Sequence, residues 1–312
     1  MAGSLLKNRE LILAKIETTE NTDAVPVAGV DAVLVEEASW SLEGLRMVDR
    51  PVVKPNLSKE QQTFAGALRK VTFSCEIKGS GAAGTAPEIG PLLRACAMGE
   101  TIVASTSVTY GLVSTGHETI TIYYFQDGLR YILTGCRGNV NYSIEAGSKL
   151  MANFEFTGHS VAPTDVTLPA ATYDATVPVG LIGVPFTANG YGAVINNLTV
   201  DLGNAIATTQ DISSVDGYGC ILITGRDVQG SFDPEHTLAA TQDWESALRA
   251  GTLVALTTGV IGSVAGNRVQ FDLDKCYYRN ITPADRDAVR TLDIPFGCTE
   301  NAGEDELTMV FT

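Results

Sequence analysis

Three histidines, six cysteines and several paired carboxylates are the residues with the chemistry to cut, transfer or bind a metal. His117, His159 and His236 stand apart from any nucleophile motif such as GxSxG, so acyl transfer has no starting point. His236 follows Asp233-Pro234-Glu235, a run with metal-binding atoms whose composition is that of an ordinary turn. The cysteines fall at 75, 96, 136, 220, 276 and 298, with no CxxC and no His spacing that would close a zinc site. Their neighbours are mostly apolar, as in Val71-Thr72-Phe73-Ser74-Cys75, which reads as buried free thiols in a reducing compartment. Gly79-Ser80-Gly81-Ala82-Ala83-Gly84 has the glycine content of a phosphate cradle. It lacks a Lys-Ser/Thr ending and a βαβ rhythm, so a flexible connector is expected. Glu36-Glu37, Asp285 with Asp287, and Glu304-Asp305-Glu306 supply carboxylate pairs. Glycoside hydrolysis needs two carboxyls held across a cleft, and a solvated acidic face accounts for all three groups. Trp40 and Trp244 read as core or interface anchors rather than sugar platforms. No catalytic residue, cofactor or metal is expected.

The chain must therefore be read through the elements that carry these residues. Its 312 residues, 45% of them hydrophobic, suffice for a large core and set two domains as the natural division. A formal charge of −15 excludes a wrapped nucleic-acid partner, which needs Lys and Arg to release counterions. It suits a surface that nucleic acid passes without sticking, and it equally serves solubility. Residues 1–20 carry charges throughout, unlike a signal peptide, and no run is long and apolar enough to span a membrane; a cytoplasmic protein is expected.

Thr85 to Thr101 has the form of a short helix, with Thr85 and Glu88 as a capping box and Gly99 as the stop. Thr241 to Thr252 is a second, stopped at Gly251, and Leu248-Arg249-Ala250 echoes Leu93-Arg94-Ala95. The surrounding text is strand-rich and repeats its order. Gly192 to Leu202 answers Asp31 to Leu42, and Cys220 to Gly230 answers Val71 to Gly81. A turn at Gly266-Asn267 answers Asp127-Gly128. Cys276 to Cys298 aligns with Cys136 to Gly158 at an offset of 276 − 136 = 140, placing Phe296 on Phe156. The reading is a mainly β chain: two tandem β-sandwich or barrel-like domains over 1–160 and 191–312, each with one flanking helix, joined by a proline-rich linker over 161–190. Two segments look built for contact rather than core. One is the N-terminal arm, with Leu11, Ile12 and Ile16, which docks either on its own domain or on a neighbour. The other is the long loop at about 46–66, with Met47, Val48, Val52, Val53, Leu57 and Phe64.

Leu11-Ile12-Leu13-Ala14-Lys15-Ile16-Glu17-Thr18-Thr19, then Asn21-Thr22-Asp23 and the strand through Trp40, resembles the opening of major tail tube proteins of long-tailed bacteriophages. The likeness is strongest over residues 8–100, including the long loop and Glu88 to Glu100, and the second half resembles a diverged copy. The resemblance implies a structural virion protein, assembled in the host cytoplasm, whose strands join between copies around a lumen and whose rings stack into a tube. It implies partners: the chain itself, tape measure, tail terminator and baseplate proteins, with phage DNA passing unbound and no membrane. Two tube domains per chain imply a trimeric, pseudo-hexameric ring; six chains with an outward second domain is the other arrangement. A head decoration or baseplate ring protein, and a carbohydrate-binding β-sandwich, stay open as alternatives.

Overall fold

A computed structural model describes residues 4–312. Of the N-terminal arm, residues 1–3 lie outside the described residues.

Runs that alternate polar and apolar side chains put one face in the core and one in water, and eight of them align here as one antiparallel sheet. Its order is Val35–Glu43, Leu68–Glu76, Met151–Ser160, Leu129–Glu145, then Asn197–Asp201, Gln229–Phe232, Val289–Cys298 and Val269–Tyr278. The last four strands repeat the order of the first four. They repeat the register as well: Gly138 faces Phe156, and 140 residues on, Tyr278 faces Phe296. Trp40 faces Val71 in the first set as Val200 faces Gly230 in the second. Gly230, not Cys220, therefore takes the place of Val71, which corrects the alignment of that strand. The second hairpin folds over, so Tyr218–Gly225 pairs only with Ala205–Gln210 and not with the main sheet.

Two long strands carry the chain into a second layer. Leu129–Glu145 slips register between Thr134 and Arg137, around Gly135 at φ 60°, a value glycine adopts without strain. Its first half pairs with Ile120–Gln126, which leads to Glu10–Ile16 and Ala32–Val33. Val269–Tyr278 forks in the same manner, to Val254–Thr257 on one side and to the C-terminal strand Thr308–Phe311 on the other. That last strand pairs with Ser107–Leu112 of the first half. Among the described residues the pairings never return on themselves, so the fold is an open, mainly β sandwich and no barrel closes within one chain.

One buried cluster runs from Ile12 to Phe311 and draws on both halves. Tyr142 meets Phe271 edge-on at 5.1 Å, and Tyr110 meets Phe311 at 5.9 Å. Phe232 lies against Phe186, Trp244, Tyr278 and Phe296, each within 6.1 Å, the geometry aromatic rings prefer. The 161–190 segment lies on the body. Val166 and Leu168 cover Leu11 and Phe125, and Leu181 and Phe186 are buried in the main core.

The two helices differ from each other. The second, Trp244–Ala250, is capped by Asp243, whose side chain accepts from the Ser246 N–H at 2.9 Å, and it ends on Gly251 at φ 62°. The first is only Gly90–Ala95, and no side chain caps it, which corrects the expected Thr85/Glu88 box. Glu88 instead accepts from the Leu34 N–H at 2.6 Å and faces Lys78 at 3.4 Å; burial raises its carboxyl pKa above the usual range. The helix is left at Ala97, at φ 61°, and Gly99 belongs to the strand Met98–Val103. Leu92, Leu93, Ala95 and Cys96 are all fully buried, so this helix plugs the core rather than lying on its surface.

Glu17 shows how the N-terminal strand is locked. Buried beside the bend at Gly135, it accepts from the Thr119 and Thr121 hydroxyls at 2.7 and 2.8 Å and from the Asn21 and Gly135 N–H groups at 2.8 Å. Glu17→Ala would strand four donors, at roughly 1–3 kcal/mol for each one that water cannot reach. A loss of about 3 kcal/mol is expected in urea unfolding, with Glu17→Gln intermediate; a change below about 1 kcal/mol would contradict this account.

Candidate assembly surfaces

The eight-stranded sheet has one dry and one wet face. Val71, Phe73, Phe154, Phe156, Val140, Tyr142, Val200, Phe232 and Phe296 point inward and are buried. Opposite them the register aligns Ser39, Thr72, Glu155 and Asn139 across four strands. It aligns Ser74, Asn153, Asn141, Asp201 and Gln229 across the next row. Small hydroxyl and amide side chains dominate this wet face. Its strand charges are mainly acidic: Glu36, Glu43, Glu76, Glu145, Glu155, Asp201 and Asp293 against Lys70 and Arg137. Lys70 sits 2.8 Å from Glu155, and Lys149, just before Met151, pairs with Glu36 and Glu76.

The long loop is a hairpin that projects from one end of this sheet. Val35–Glu43 and Leu68–Glu76 lead into it, and Met47–Val48 pairs with Thr63–Phe64. Its base is held by backbone bonds between Arg46 and Gly66 and between Ala65 and Arg46, at 2.8 and 2.9 Å. The Arg46 guanidinium stacks 4.1 Å from the Tyr218 ring and donates to the Gly217 carbonyl. Further out, Lys54–Glu60 at 2.8 Å and Gln62–Asp49 at 2.6 Å shape the tip. Met47, Val48, Val52 and Phe64 are about half exposed, and Val53 and Leu57 are fully so. The arm residues lie elsewhere. Leu11 and Ile12 are buried in the chain's own body and Ile16 packs against the core, because Glu10–Ile16 pairs along its length with Ile120–Gln126. The structure thus brings the six loop residues together and keeps the three arm residues apart from them.

Two apolar residues beside the loop escaped the sequence reading. Ile212 and Val215, in the short second loop at 211–217, are fully exposed and share a groove with Arg46 and Phe64. The repeat is the signal that could have found them, since this loop stands where the first long loop stands. Asp216 binds it to the first half: its carboxylate lies 2.6 Å from His159 Nδ1 and also accepts from the Ser214 hydroxyl and the Tyr218 N–H. Burial works against the charge, but these partners outweigh it and hold the Asp216 pKa below the usual carboxylate range. A depressed carboxylate stabilises the fold above its unfolded pKa of about 3.9, and that contribution fades as the pH falls through the folded value.

Two of the chemistry-bearing stretches are taken up by structural contacts. The Gly79–Gly84 stretch packs against the Gly266-Asn267 turn: the Gly79 N–H donates to Asn267 Oδ1 at 2.9 Å and the Gly81 N–H to the Gly266 carbonyl at 3.0 Å. A Cβ on Gly79 would come within 2.0 Å of the Gly266 oxygen, so the run is a close backbone contact rather than a loose connector. Asp233 accepts from the Asn196 and Asn197 N–H groups and pairs with Arg286 at 3.0 Å. Among the described residues no group of three or more His, Cys, Asp or Glu is placed to hold a metal, and no helix is long and apolar enough to cross a membrane.

Comparison with known proteins adds the family. The model of the family described as "Phage tail tube protein" matches residues 7–298. A comparison with curated proteins finds no match. With nearly the whole length matched, and with a mainly β sandwich as its fold, this chain belongs to the phage tail tube protein family, structural components of the virion tail.

Proposed function

We propose that copies of this chain polymerise into stacked rings that form the tail tube, through which phage DNA passes on ejection. The observation that carries this reading is the eight-stranded sheet, whose two quartets share order and register within one chain. A sheet open at both ends can close only across copies, and closure removes the edges that would otherwise aggregate. Two quartets per chain make three chains equivalent to six single-domain subunits, so the ring is a trimer with pseudo-hexameric symmetry. The wet, mainly acidic sheet face lines the lumen, where it repels phosphates and offers DNA no foothold. The projecting loops, with Val53 and Leu57 bare, contact the next ring. Tape measure, tail terminator and baseplate proteins meet the tube along its lumen and at its ends, and assembly takes place in the host cytoplasm.

Electron microscopy of the purified protein at rising concentration tests this. Tubes of stacked rings with threefold averages are expected. Closed single rings would favour a decoration or baseplate role, and monomers at all concentrations would refute self-assembly.

A further inference from the structure

The chain contains one joint between its two quartets, and that joint is a template for the joint between chains. Inside the molecule, Asn141–Glu145 pairs with Asn197–Asp201, Ser143 facing Thr199 and Glu145 facing Asn197. The counterpart of Asn141–Glu145 in the second quartet is Thr282–Arg286: Ser143 stands beside Met151, and Ala284 stands beside Thr291, which is 140 residues after Met151, one extra residue having entered the chain between Tyr278 and Thr282. The counterpart of Thr199–Asp201 in the first quartet is 39–41, since Thr199 stands beside Ser231 as Ser39 stands beside Thr72; before Ser39 the strand bulges at Glu37, at φ 52°, so that Glu36 takes the place of Asn197. Among the described residues no strand pairs with the outer edge of either segment.

We infer that Thr282–Arg286 of one copy pairs antiparallel with residues 36–41 of a second copy of this chain, with Ala284 opposite Ser39 and Arg286 beside the bulge at Glu36 and Glu37. This rests on the ring assembly proposed above and names its lateral contact. Two observations agree with it. Each edge borders an open groove of about 750 or 740 Å³, one lined by Trp244 and Pro283, the other by Glu37, Ala38 and Trp40. At the internal joint the equivalent space is narrower, about 310 Å³, where Ala193–Asn196 and Leu181–Phe186 crowd against Ile144. Within the first groove's lining, Trp244 Nε1 and Thr237 Oγ1 are buried without a partner among the described residues, as donors waiting for a neighbour would be. Pro283 lacks an N–H, so the ladder is one donor shorter than the internal one.

Cysteine pairing across the joint tests it, in a Cys220→Ser background that removes the exposed native thiol. Directly opposed strand residues have Cβ atoms close enough for a disulfide. Ser143→Cys with Thr199→Cys should close within one chain and serves as the internal control. Ser39→Cys with Ala284→Cys should give, on oxidation with diamide, covalent dimers and trimers from assembled particles and only monomer from dilute protein. Assembled tubes in which the control closes but Ser39→Cys/Ala284→Cys does not would overturn this pairing and leave the tube intact. If Trp40→Cys with Ala284→Cys crosslinks better, the register is wrong. Unmodified protein that never assembles would refute the ring itself, and this joint with it.

Discussion

Replacing residues 49–62 with a two-residue Asn-Gly turn is expected to leave a folded, ring-forming protein that makes no tubes. Met47–Val48 and Thr63–Phe64 already pair as a ladder, so a tight turn can close that hairpin without moving its base. The segment removed holds the fully exposed Val53 and Leu57 and none of the chain's buried core. Shortening a loop also lowers its closure entropy, so stability should hold or rise slightly. What is lost is apolar surface available to the next ring. Burying a valine or leucine is worth about 1.5–3 kcal/mol, and each ring offers the same residues once per chain. The milder pair Val53→Asp with Leu57→Asp should raise the concentration needed for tubes by at least about tenfold, the equivalent of about 1.4 kcal/mol. Sedimentation with negative-stain microscopy reads both variants. Tubes of normal length from the deletion would remove this hairpin from the stacking contact.

Charge reversal on the wet face should have the opposite signature, with normal tubes and poor ejection. Ser41→Lys, Glu145→Lys and Asn153→Lys each lie at exposed or half-exposed positions of the eight-stranded sheet, away from the buried cluster. Glu145→Lys removes an acid and adds a base, a change of two charges at one position. A lysine about 4 Å from a phosphate gains about 1 kcal/mol even in water, and the same three substitutions recur in every chain of every ring that DNA must pass. Infectivity should fall at least about tenfold while particle yield holds, and added salt should partly restore ejection in vitro because these contacts are screened over about 10 Å. Undiminished infectivity in phage carrying all three lysines would move the lumen to another surface.

Much of this architecture was legible as text. Alternation in Leu68–Glu76 and Met151–Ser160 marks half-buried strands, and the offset of 140 between Cys136 and Cys276 anticipates the register seen at Gly138–Phe156 and Tyr278–Phe296. The second helix announces itself through Asp243 and Gly251, because caps act within a few residues. The first helix misleads for the opposite reason. Glu88 is drawn off by the Leu34 N–H and Lys78, partners 54 and 10 residues away that local rules do not see. The arm is ambiguous as text: Leu11 and Ile12 could dock on their own domain or on a neighbour, and only the pairing with Ile120–Gln126 puts them in the chain's own body.

The sequence alone determined a mainly β chain with two similar halves, a long exposed loop and an acidic surface, since each follows from composition, local periodicity or internal likeness. Only the tertiary structure decided that the halves share one core and one sheet, through Asn141–Glu145 on Asn197–Asp201 and through Thr308–Phe311 on Ser107–Leu112. Pairings over such separations depend on which apolar faces must be covered together, and a linear pattern does not say which strand covers which. The edges left over by that choice, 36–41 and Thr282–Arg286, are where a second copy is expected to join.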